Sequence, residues 1–341
     1  MLWLGIDGGG TKTACSLYND RLERLGRLVL PTCHYAQAGL NGMYEILAQG
    51  IAWAEQRAAA LDGGACTTDA GALGIGFAMC GYGEGAATTA SIDRLVHDAA
   101  DAHPYVLVND VEAAWAAGLT CTDGIAIIAG TGSIALGVRG KARMRCGGWD
   151  YELGDEGSGG WLGKEVLRVF TRQADGRDPR GALYELVRDT LDLHDDFDII
   201  AWAQAHYARR SDVAALAPLA SRAAAAGDAS AQAIFARAAA EEADLVRAIK
   251  ARLFDAGPLC DPRETRPAIV PAQHPAPDSA LVRDQHAPIR VTYSGGTFNA
   301  GAHILEPLAR ALPAGCTLVK PAHEPDLGPV LLLRKKLGCT S

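Results

Sequence analysis

The sequence contains two units in which a glycine-rich turn joins two apolar stretches of strand length. The first turn is Gly8-Gly9-Gly10, and the second is Gly130-Thr131-Gly132-Ser133. A dinucleotide-binding unit passes from strand to helix at its glycine turn, whereas each turn here leads into a further strand. The repeated unit therefore predicts an internal duplication at domain scale, with a hinge near residues 118–123.

Short apolar runs rich in Val, Ile and Leu alternate with long Ala-rich segments of helical period, which predicts an α/β chain. Strands are predicted at 2–6, 13–18, 26–30, 72–78, 105–108, 124–129, 134–138, 289–293 and 317–319. Helices are predicted at 42–61, 91–102, 111–117, 160–172, 197–208, 213–226, 230–255, 300–312 and 325–336.

The length of the chain favours two domains, because it has 341 residues and a single domain usually has about 150. The repeated units place an N-terminal domain at residues 1–119 and a C-terminal domain at residues 120–321. We expect a C-terminal helix within residues 322–338 to pack back on the first domain. The Pro-rich stretch at residues 261–288 has little periodicity, which indicates a surface excursion between a helix and a strand.

Charge and composition exclude several classes of protein. The chain has 32 Lys and Arg against 40 Asp and Glu, a formal net charge of -8, and contains no basic run. Nucleic acids and anionic membranes are therefore not expected as partners. Because there is no basic leader and no apolar stretch of ~18 residues, we expect a cytoplasmic protein. The nine cysteines form no C-x-x-C pair, which favours reduced thiols over disulfides or a zinc site.

The first glycine turn has the chemistry of an anion site. Successive glycines let the backbone turn tightly and direct N–H groups at an anion without interference from a Cβ. Thr11 adds a hydroxyl and Lys12 a charge, but the pattern falls short of a P-loop because Thr follows Gly10 and a strand continues the chain. A tight hairpin without a ligand is the alternative. Asp7 argues against it, because an acid ending a buried strand needs a metal, water or a strong donor.

The second glycine turn matches a dinucleotide fingerprint as Gly130-x-Gly132-x-x-Ala135, but a predicted strand follows it, so the match is weak. The turn is more informative as a partner of the first. Two glycine turns that face each other across a cleft can hold a triphosphate from both sides.

Asn109-Asp110 ends a buried strand just before a predicted helix. Asp is common as a helix N-cap, which would be a purely structural role. The ends of strands that border a cleft are also where α/β proteins place reactive groups. Both interpretations of Asp110 stay open on the residues alone.

The segment 147–159 carries four carboxylates, Trp149 and Tyr151 among five glycines. Sugars offer donors to carboxylates and an apolar face to aromatic rings, so this composition suits the recognition of hydroxyl groups. An acidic surface loop is the alternative. The segment 293–298 ends a strand and opens a helix, and its bare glycine backbone suits a close approach to adenine or ribose.

Together these motifs resemble the BadF/BadG/BcrA/BcrD ATPase family of the sugar kinase and actin ATPase superfamily, and within it the N-acetylglucosamine kinases. The resemblance runs from residue 2 to about 335, with residues 261–288 as an insertion. It implies a two-domain actin-like ATPase fold of the ribonuclease H-like type, each domain having a mixed sheet flanked by helices. The active-site cleft lies between the domains. The implied reaction is the ATP-dependent phosphorylation of the 6-hydroxyl of N-acetyl-D-glucosamine or a close relative.

The resemblance also implies roles for particular residues. Asp110 is the general base, and Asp7 organises Mg²⁺ through water. ATP is contacted by Asp7, Gly9, Gly10, Thr11, Lys12, Gly130, Thr131, Gly132, Gly295 and Gly296. The sugar is contacted by His34, Asn109, Asp110, Ser133, Gly148, Trp149, Asp150 and Asp155. The expected cofactors are ATP and Mg²⁺, the expected partner is a small-molecule sugar, and a homodimer is usual in the family.

Two departures from the family bear on the choice of sugar. Kinases of this group present an Asn to the sugar after the third strand, whereas this chain has residues 31–37 without Asn, and His34 or Gln37 is the candidate substitute. The residue after Gly-Trp is usually small but is Asp150 here, which would favour either a free ammonium or an additional hydroxyl contact. A glucosamine or other hexosamine kinase, a dehydratase-activator-type ATPase and a non-catalytic sugar sensor are the alternatives.

Overall fold

The computed structural model describes residues 1–61, 73–256 and 287–339. These residues form two mixed five-stranded sheets with helices packed against them, so the predicted α/β class is confirmed. The Pro-rich stretch 261–288 lies outside the described residues except for its last two positions. No helix in the described part of the chain is long and apolar enough to cross a membrane.

The two sheets repeat one topology. The strands are β1 (Leu2–Gly8), β2 (Lys12–Tyr18), β3 (Arg24–Pro31), β4 (Leu73–Met79), β5 (Tyr105–Asn109), β6 (Gly124–Ala129), β7 (Ser133–Arg139), β8 (Ala142–Gly147), β9 (Ile289–Ser294) and β10 (Cys316–Leu318). The first sheet has the order β3-β2-β1-β4-β5 and the second the order β10-β9-β6-β7-β8. In each sheet the strands joined by the glycine turn are antiparallel, and the strand before the turn is parallel to its other neighbour. This repeat is the duplication that the two glycine turns predict.

Helices cover both sheets. They are α1 (Tyr35–Leu61), α2 (Ala86–Ala100), α3 (Asp110–Leu119), α4 (Gly159–Ala174), α5 (Ala182–Leu191), α6 (Asp198–His206), α7 (Arg210–Ala214), α8 (Ala217–Ala225), α9 (Ala229–Ile249), α10 (Ala302–Ala311) and α11 (Gly328–Lys336). Short 3₁₀ segments occur at Gly296–Ala300 and Pro325–Leu327, and a π-helical turn extends α9 over Lys250–Asp255.

Alternating side chains place the two faces of the first sheet in different cores. Leu4 and Ile6 of β1 lie in the core that α1 and α2 cover. Trp3 of β1 lies on the opposite face, against α3 and α11. Gly5 allows this second layer to approach closely, because a Cβ at this position would lie 1.8 Å from the carbonyl oxygen of Asp326. The domain boundary between residues 119 and 120 stays a prediction.

Helix α3 lies between the two sheets. It begins directly after β5 of the first sheet, and its residues Val111, Trp115 and Leu119 share a core with Ala126 and Leu136 of the second. The N-terminus of α3 is therefore fixed by packing against both halves of the molecule.

Several elements differ from their prediction for physical reasons. Strand β8 was not predicted, because Arg143 and Arg145 interrupt its apolar pattern; pairing with β7 at the sheet edge forms it instead. Helix α5 was also not predicted. The helix predicted at 213–226 is two helices, α7 and α8, because Pro218 in the first turn of α8 lacks the N–H that would continue α7. Helix α1 begins earlier than predicted and is kinked at Gly39, whose φ is 69°.

Candidate functional site

Three parallel strands of the first sheet end side by side and bring three polar residues to one edge. Gly8 pairs with Met79 of β4, and Met79 pairs with Asn109 of β5. Gly8, Met79 and Asn109 thus lie side by side. Asp7 is the residue before Gly8, and Cys80 and Asp110 are the residues after Met79 and Asn109. The carboxyl edge of parallel strands is where α/β sheets bind ligands, and these three residues form one side of the candidate site.

Asp110 is the first residue of α3, but Asn109 occupies the N-cap position. The Asn109 side chain accepts a hydrogen bond from the Val111 N–H at 3.0 Å and donates one to the Tyr82 carbonyl at 2.8 Å. Asp110 also accepts from the Val111 N–H, at 2.9 Å. Since Asn109 already caps the helix, capping does not by itself explain Asp110. The buried Asn109 side chain is engaged with the backbone, and its predicted sugar contact stays a prediction.

Burial raises the pKa of Asp110 to about 6, and the nearby charge of Glu84 adds to the rise. A hydrogen bond from the Cys80 thiol and the charge of Arg145 act in the opposite direction. Burial likewise raises the pKa of Asp7 to about 7, with the charge of Asp110 as the next cause. A carboxylate whose pKa lies near neutrality is suited to accept a proton in the course of a reaction.

Hydrogen bonds hold the first glycine turn in shape. The Gly9 N–H donates to the Lys12 carbonyl at 3.0 Å, while the Gly9 carbonyl accepts from the Thr32 hydroxyl at 2.8 Å. The Gly10 carbonyl accepts from the Gln37 amide at 2.8 Å. Gln37, one of the two substitutes considered for the missing Asn, therefore supports the turn. Lys12 is exposed, and its charge lowers the pKa of Asp7.

The second glycine turn is held by the start of α4. The Gly159 N–H donates to the Gly130 carbonyl at 2.7 Å, and the Gly160 N–H donates to the Thr131 carbonyl at 3.2 Å. Ser158 caps α4 by accepting from the Trp161 N–H at 3.1 Å. The two glycine turns touch, because the Thr11 and Thr131 hydroxyls are 3.1 Å apart.

At three positions of the candidate nucleotide site, packing does not explain why the residue is glycine. A Cβ at Gly10, Gly130 or Gly296 would meet no atom within 4 Å, and none of the three has a positive φ. Gly295 differs, because its φ is 112° and a Cβ would lie 2.4 Å from the Ala129 carbonyl oxygen. The segment 295–296 is thereby packed beside the second glycine turn. The open space at the three other glycines is the kind of room that a bound phosphate or nucleoside requires.

The loop 147–158 folds over the start of β7. Ser133 donates through its hydroxyl to the Glu156 carbonyl at 2.6 Å and through its N–H to Asp155 Oδ1 at 3.3 Å. Asp155 is only 4% exposed, and its Oδ2 accepts no hydrogen bond of good geometry. Trp149 is 61% exposed, and the Gly148 carbonyl accepts a hydrogen bond from Arg145 at 2.5 Å. A buried carboxylate oxygen with unused capacity is a suitable acceptor for a sugar hydroxyl.

His34 lies across from this loop, next to Gly81 and stacked on Tyr35 with ring centroids 4.8 Å apart. Its Nδ1 is buried without a hydrogen-bond partner. Burial lowers the pKa of His34. The negative charges of Glu84 and Asp150 act to raise this pKa, and the positive charge of Arg210 acts to lower it. The two halves of the molecule thus each supply a buried polar atom without a well-formed hydrogen bond, His34 Nδ1 and Asp155 Oδ2. Asp155 Oδ2 does have an ion-pair partner, the Arg210 guanidinium at 3.0 Å.

Arg210, at the start of α7, is a site residue that the sequence reasoning missed. Its guanidinium lies 2.9 Å from Asp150 Oδ1, 3.0 Å from Asp155 Oδ2 and 3.3 Å from the Thr131 carbonyl oxygen. It also lies against Gly132, where a Cβ would be 1.9 Å from Nη2. No motif surrounds Arg210, so only its spatial neighbours identify it.

The sequence pattern of the BadF/BadG/BcrA/BcrD ATPase family matches residues 4–332. The chain belongs to this family. An N-acetyl-D-glucosamine kinase from Dictyostelium discoideum is 28% identical over 207 residues, which are 59% of this chain and 64% of that protein. An N-acetylmuramic acid/N-acetylglucosamine kinase from Clostridium acetobutylicum is 27% identical over 223 residues, 62% of this chain and 67% of that protein. The match thus spans about two thirds of the length of these curated relatives.

A solved structure supports the fold of this family member. It comes from Chromobacterium violaceum, is provisionally assigned as an N-acetylglucosamine kinase, and superimposes with a TM-score of 0.70 at 24% identity. The superposition covers 97% of this chain and 98% of that one. Together with the repeated sheet order, this confirms the predicted two-part, actin-like ATPase fold.

The surroundings of Asp7 fit the Mg²⁺ that the family resemblance implies. Asp7 lies beside the first glycine turn, and its pKa is raised by burial and by the negative charges of Asp110 and Asp326. A divalent cation would offset those charges. The described residues contain no group of three or more potential metal ligands. Mg²⁺ is usually held by one or two carboxylates together with substrate phosphates and water, and Asp7 is a carboxylate of this kind.

Proposed function

We propose that the protein transfers the γ-phosphoryl group of ATP to a hydroxyl of an amino sugar, with the 6-hydroxyl of N-acetyl-D-glucosamine as the favoured acceptor. The observation that carries the proposal is the position of Asp110, a carboxylate with a pKa of about 6 at the strand edge beside two touching glycine turns. Membership of the family and the activities named for its relatives support the same conclusion.

ATP binds where the two glycine turns meet. Backbone N–H groups and the hydroxyls of Thr11 and Thr131 contact the phosphates, with Lys12 as a nearby positive charge. The open space at Gly10 and Gly130 accommodates the phosphate oxygens, and the segment 295–296 lies along the nucleoside. Asp7 would hold Mg²⁺, and the bound ion would supply positive charge that offsets the charge of the phosphates.

The sugar binds between Asp110 and the loop 147–158. Asp155 Oδ2 accepts a sugar hydroxyl, His34 Nδ1 provides a polar contact from the opposite side, and Trp149 offers a ring face. The remaining predicted sugar contacts are Asn109, Ser133, Gly148 and Asp150. The acceptor hydroxyl points at the Asp110 carboxylate.

Asp110 takes the proton of the acceptor hydroxyl as that oxygen bonds to the γ-phosphorus. The bond from the γ-phosphorus to the bridging oxygen breaks at the same time, and ADP leaves with the electron pair. Phosphoryl transfer depends mainly on the alignment of the reactants and on charge stabilisation. One base and two turns with exposed backbone N–H groups are therefore sufficient protein groups for the reaction.

Contacts between the two halves keep water out of the site. Glu84 of the first half pairs with Arg145 of β8 at 3.2 Å, and the Thr11 and Thr131 hydroxyls join the glycine turns. We propose that these contacts hold the two halves together over bound sugar and ATP, which prevents transfer to water. The cytoplasmic location and the homodimer are predictions from sequence composition and from the family, respectively.

ADP release in the presence of a panel of sugars tests the function. The panel contains N-acetylglucosamine, glucosamine, N-acetylmannosamine, N-acetylmuramic acid and glucose, each at a saturating ATP concentration with Mg²⁺. We expect N-acetylglucosamine to give the highest kcat/KM. A higher value for glucosamine would assign the alternative substrate. If no sugar raises ADP release above that of the Asp110→Asn variant, the kinase proposal is wrong, and a sensor or an ATPase of another kind replaces it.

A further inference from the structure

We propose that Arg210 is a specificity and positioning residue that selects an amino sugar without positive charge on its nitrogen. The inference rests on the proposed kinase function, because it assumes that the loop 147–158 binds the sugar. It deepens that function by naming the charge class of the acceptor.

The first step concerns Asp150, the carboxylate that follows Gly148-Trp149. Asp150 Oδ1 accepts hydrogen bonds from the Tyr151 N–H at 2.8 Å and from Arg210 Nη1 at 2.9 Å. An ammonium group on the sugar would have to share this oxygen with a guanidinium. Asp150 thus pairs with Arg210, and a contact of Asp150 with the sugar would be made alongside that pair.

The second step concerns Asp155, the buried carboxylate of the loop. Arg210 Nη2 lies 3.0 Å from Asp155 Oδ2, and its charge lowers the pKa that burial of Asp155 raises. One guanidinium therefore faces two carboxylates. Removal of Arg210 leaves both carboxylates without this positive partner and removes the like charge that repels an ammonium.

The third step concerns the link to the phosphate side. Arg210 Nε donates to the Thr131 carbonyl at 3.3 Å, so one side chain joins the sugar loop to the second glycine turn. The Tyr151 hydroxyl donates to the Tyr207 carbonyl at 3.1 Å, which ties the loop to the segment just before α7. Arg210 is about one third exposed, so part of its side chain is accessible to a bound substrate. Arg210 thereby fixes the distance between the acceptor hydroxyl and the phosphate that is transferred.

Substitution of Arg210 tests both roles. Arg210→Gln removes the charge, and Arg210→Lys keeps the charge but loses the planar fork that reaches two carboxylates. Arg209→Gln is the matched control, because Arg209 is the exposed neighbour and pairs with Asp212 at 3.0 Å on the surface. Thermal melting of each variant establishes that it is folded.

The measurement is kcat/KM for glucosamine and for N-acetylglucosamine, at about pH 6.5 where the sugar amine is protonated. We expect Arg210→Gln to raise the ratio of glucosamine to N-acetylglucosamine by roughly tenfold. Arg210→Lys keeps the wild-type ratio but lowers kcat for both sugars, because the alignment with the glycine turn is lost. Arg209→Gln leaves the ratio and both rates unchanged. A ratio that stays within about twofold of wild type in Arg210→Gln overturns the proposal.

Binding of the two sugars without ATP, measured by calorimetry on the same variants, separates this proposal from the kinase function. If no sugar is phosphorylated but the binding preference shifts in Arg210→Gln, the kinase function fails and the role of Arg210 in selection stands. If the wild type neither binds nor phosphorylates either sugar, both are wrong.

Discussion

The hydroxyls of Thr11 and Thr131 are 3.1 Å apart, although the two residues are 120 positions apart in the chain. Thr11 lies between β1 and β2, directly after the first glycine turn, and Thr131 lies between β6 and β7, within the second, so the two residues belong to equivalent connections of the repeated topology. The duplicated unit therefore does more than build two sheets, because it brings two equivalent turns into contact at one point.

Removal of either hydroxyl is expected to weaken ATP binding. Thr11→Val and Thr131→Val keep the side-chain shape but remove a donor that we place at the phosphates. Each should raise the KM for ATP about tenfold, with the KM for the sugar little changed. Thr317→Val on the edge strand β10 is the control, since Thr317 is exposed and distant from the turns. Equal effects on ATP and sugar would contradict the assignment of these threonines.

Alanine at the open glycines separates binding from packing. Gly10→Ala and Gly130→Ala place a methyl group where the protein has no atom within 4 Å, so the melting temperature should change little. The same methyl group occupies the proposed phosphate space, and ATP binding should fall at least tenfold by calorimetry.

Gly5→Ala is the contrasting variant, because its Cβ would lie 1.8 Å from the Asp326 carbonyl oxygen. Overpacking of this kind costs about 1–3 kcal/mol, so Gly5→Ala should lose stability. If Gly10→Ala and Gly130→Ala lose stability in the same way, or bind ATP normally, the open space does not serve the nucleotide.

The pH profile of kcat/KM should report Asp110. Only the ionised carboxylate accepts a proton, so activity should decline as pH falls through about 6, the raised pKa of this group. Cys80→Ala removes a donor that stabilises the ionised form and should move the acid limb to higher pH. Glu84→Gln removes a negative charge and should move it to lower pH. Each shift is expected to be about half a unit.

Cys80→Ser keeps a hydrogen-bond donor and is the control for Cys80→Ala. Steady-state rates between about pH 5 and 8 give the pH at which kcat/KM declines on the acid side of the profile. Shifts of the same sign in Cys80→Ala and Glu84→Gln would show that the limb belongs to another group.

Glu242 of α9 gives a prediction about stability. Its side chain is fully buried against Gly157 without a hydrogen-bond partner, and burial raises its pKa well above the usual value. The unfolded chain therefore ionises Glu242 at a lower pH than the folded protein does. The free energy of unfolding should fall as pH rises above about 4.5, by about 1.4 kcal/mol for each unit in which only the unfolded state is ionised.

Glu242→Gln removes this titration, so the variant should gain stability relative to wild type as pH rises from about 5 to 8. Denaturant unfolding at several pH values measures the difference. Glu241→Gln, on the same helix, is the control and should follow the wild type. A constant difference across the pH range would mean that Glu242 does not titrate as described.

The sequence predicted those parts of the site that depend on local pattern. The glycine turns, the strand before Asp110 and the loop 147–158 are each continuous in the chain, and their residue types limit what the backbone can do. Arg210 could not be found in this way, because it lies 60 residues from Asp150 and belongs to a five-residue helix in a polar segment. Strand β8 was missed for a related reason, since pairing with β7, rather than its own apolar pattern, makes it a strand.

The central claim is that Asp110 is the base in phosphoryl transfer to an amino sugar. The most direct test is the formation of N-acetylglucosamine 6-phosphate, followed by phosphorus NMR with ATP and Mg²⁺, in the wild type and in Asp110→Asn. Asn keeps the size of the side chain but takes no proton, so the rate should fall about 10²- to 10⁴-fold while ATP still binds. A sugar phosphate formed by Asp110→Asn at the wild-type rate, or none formed by the wild type, would contradict the account.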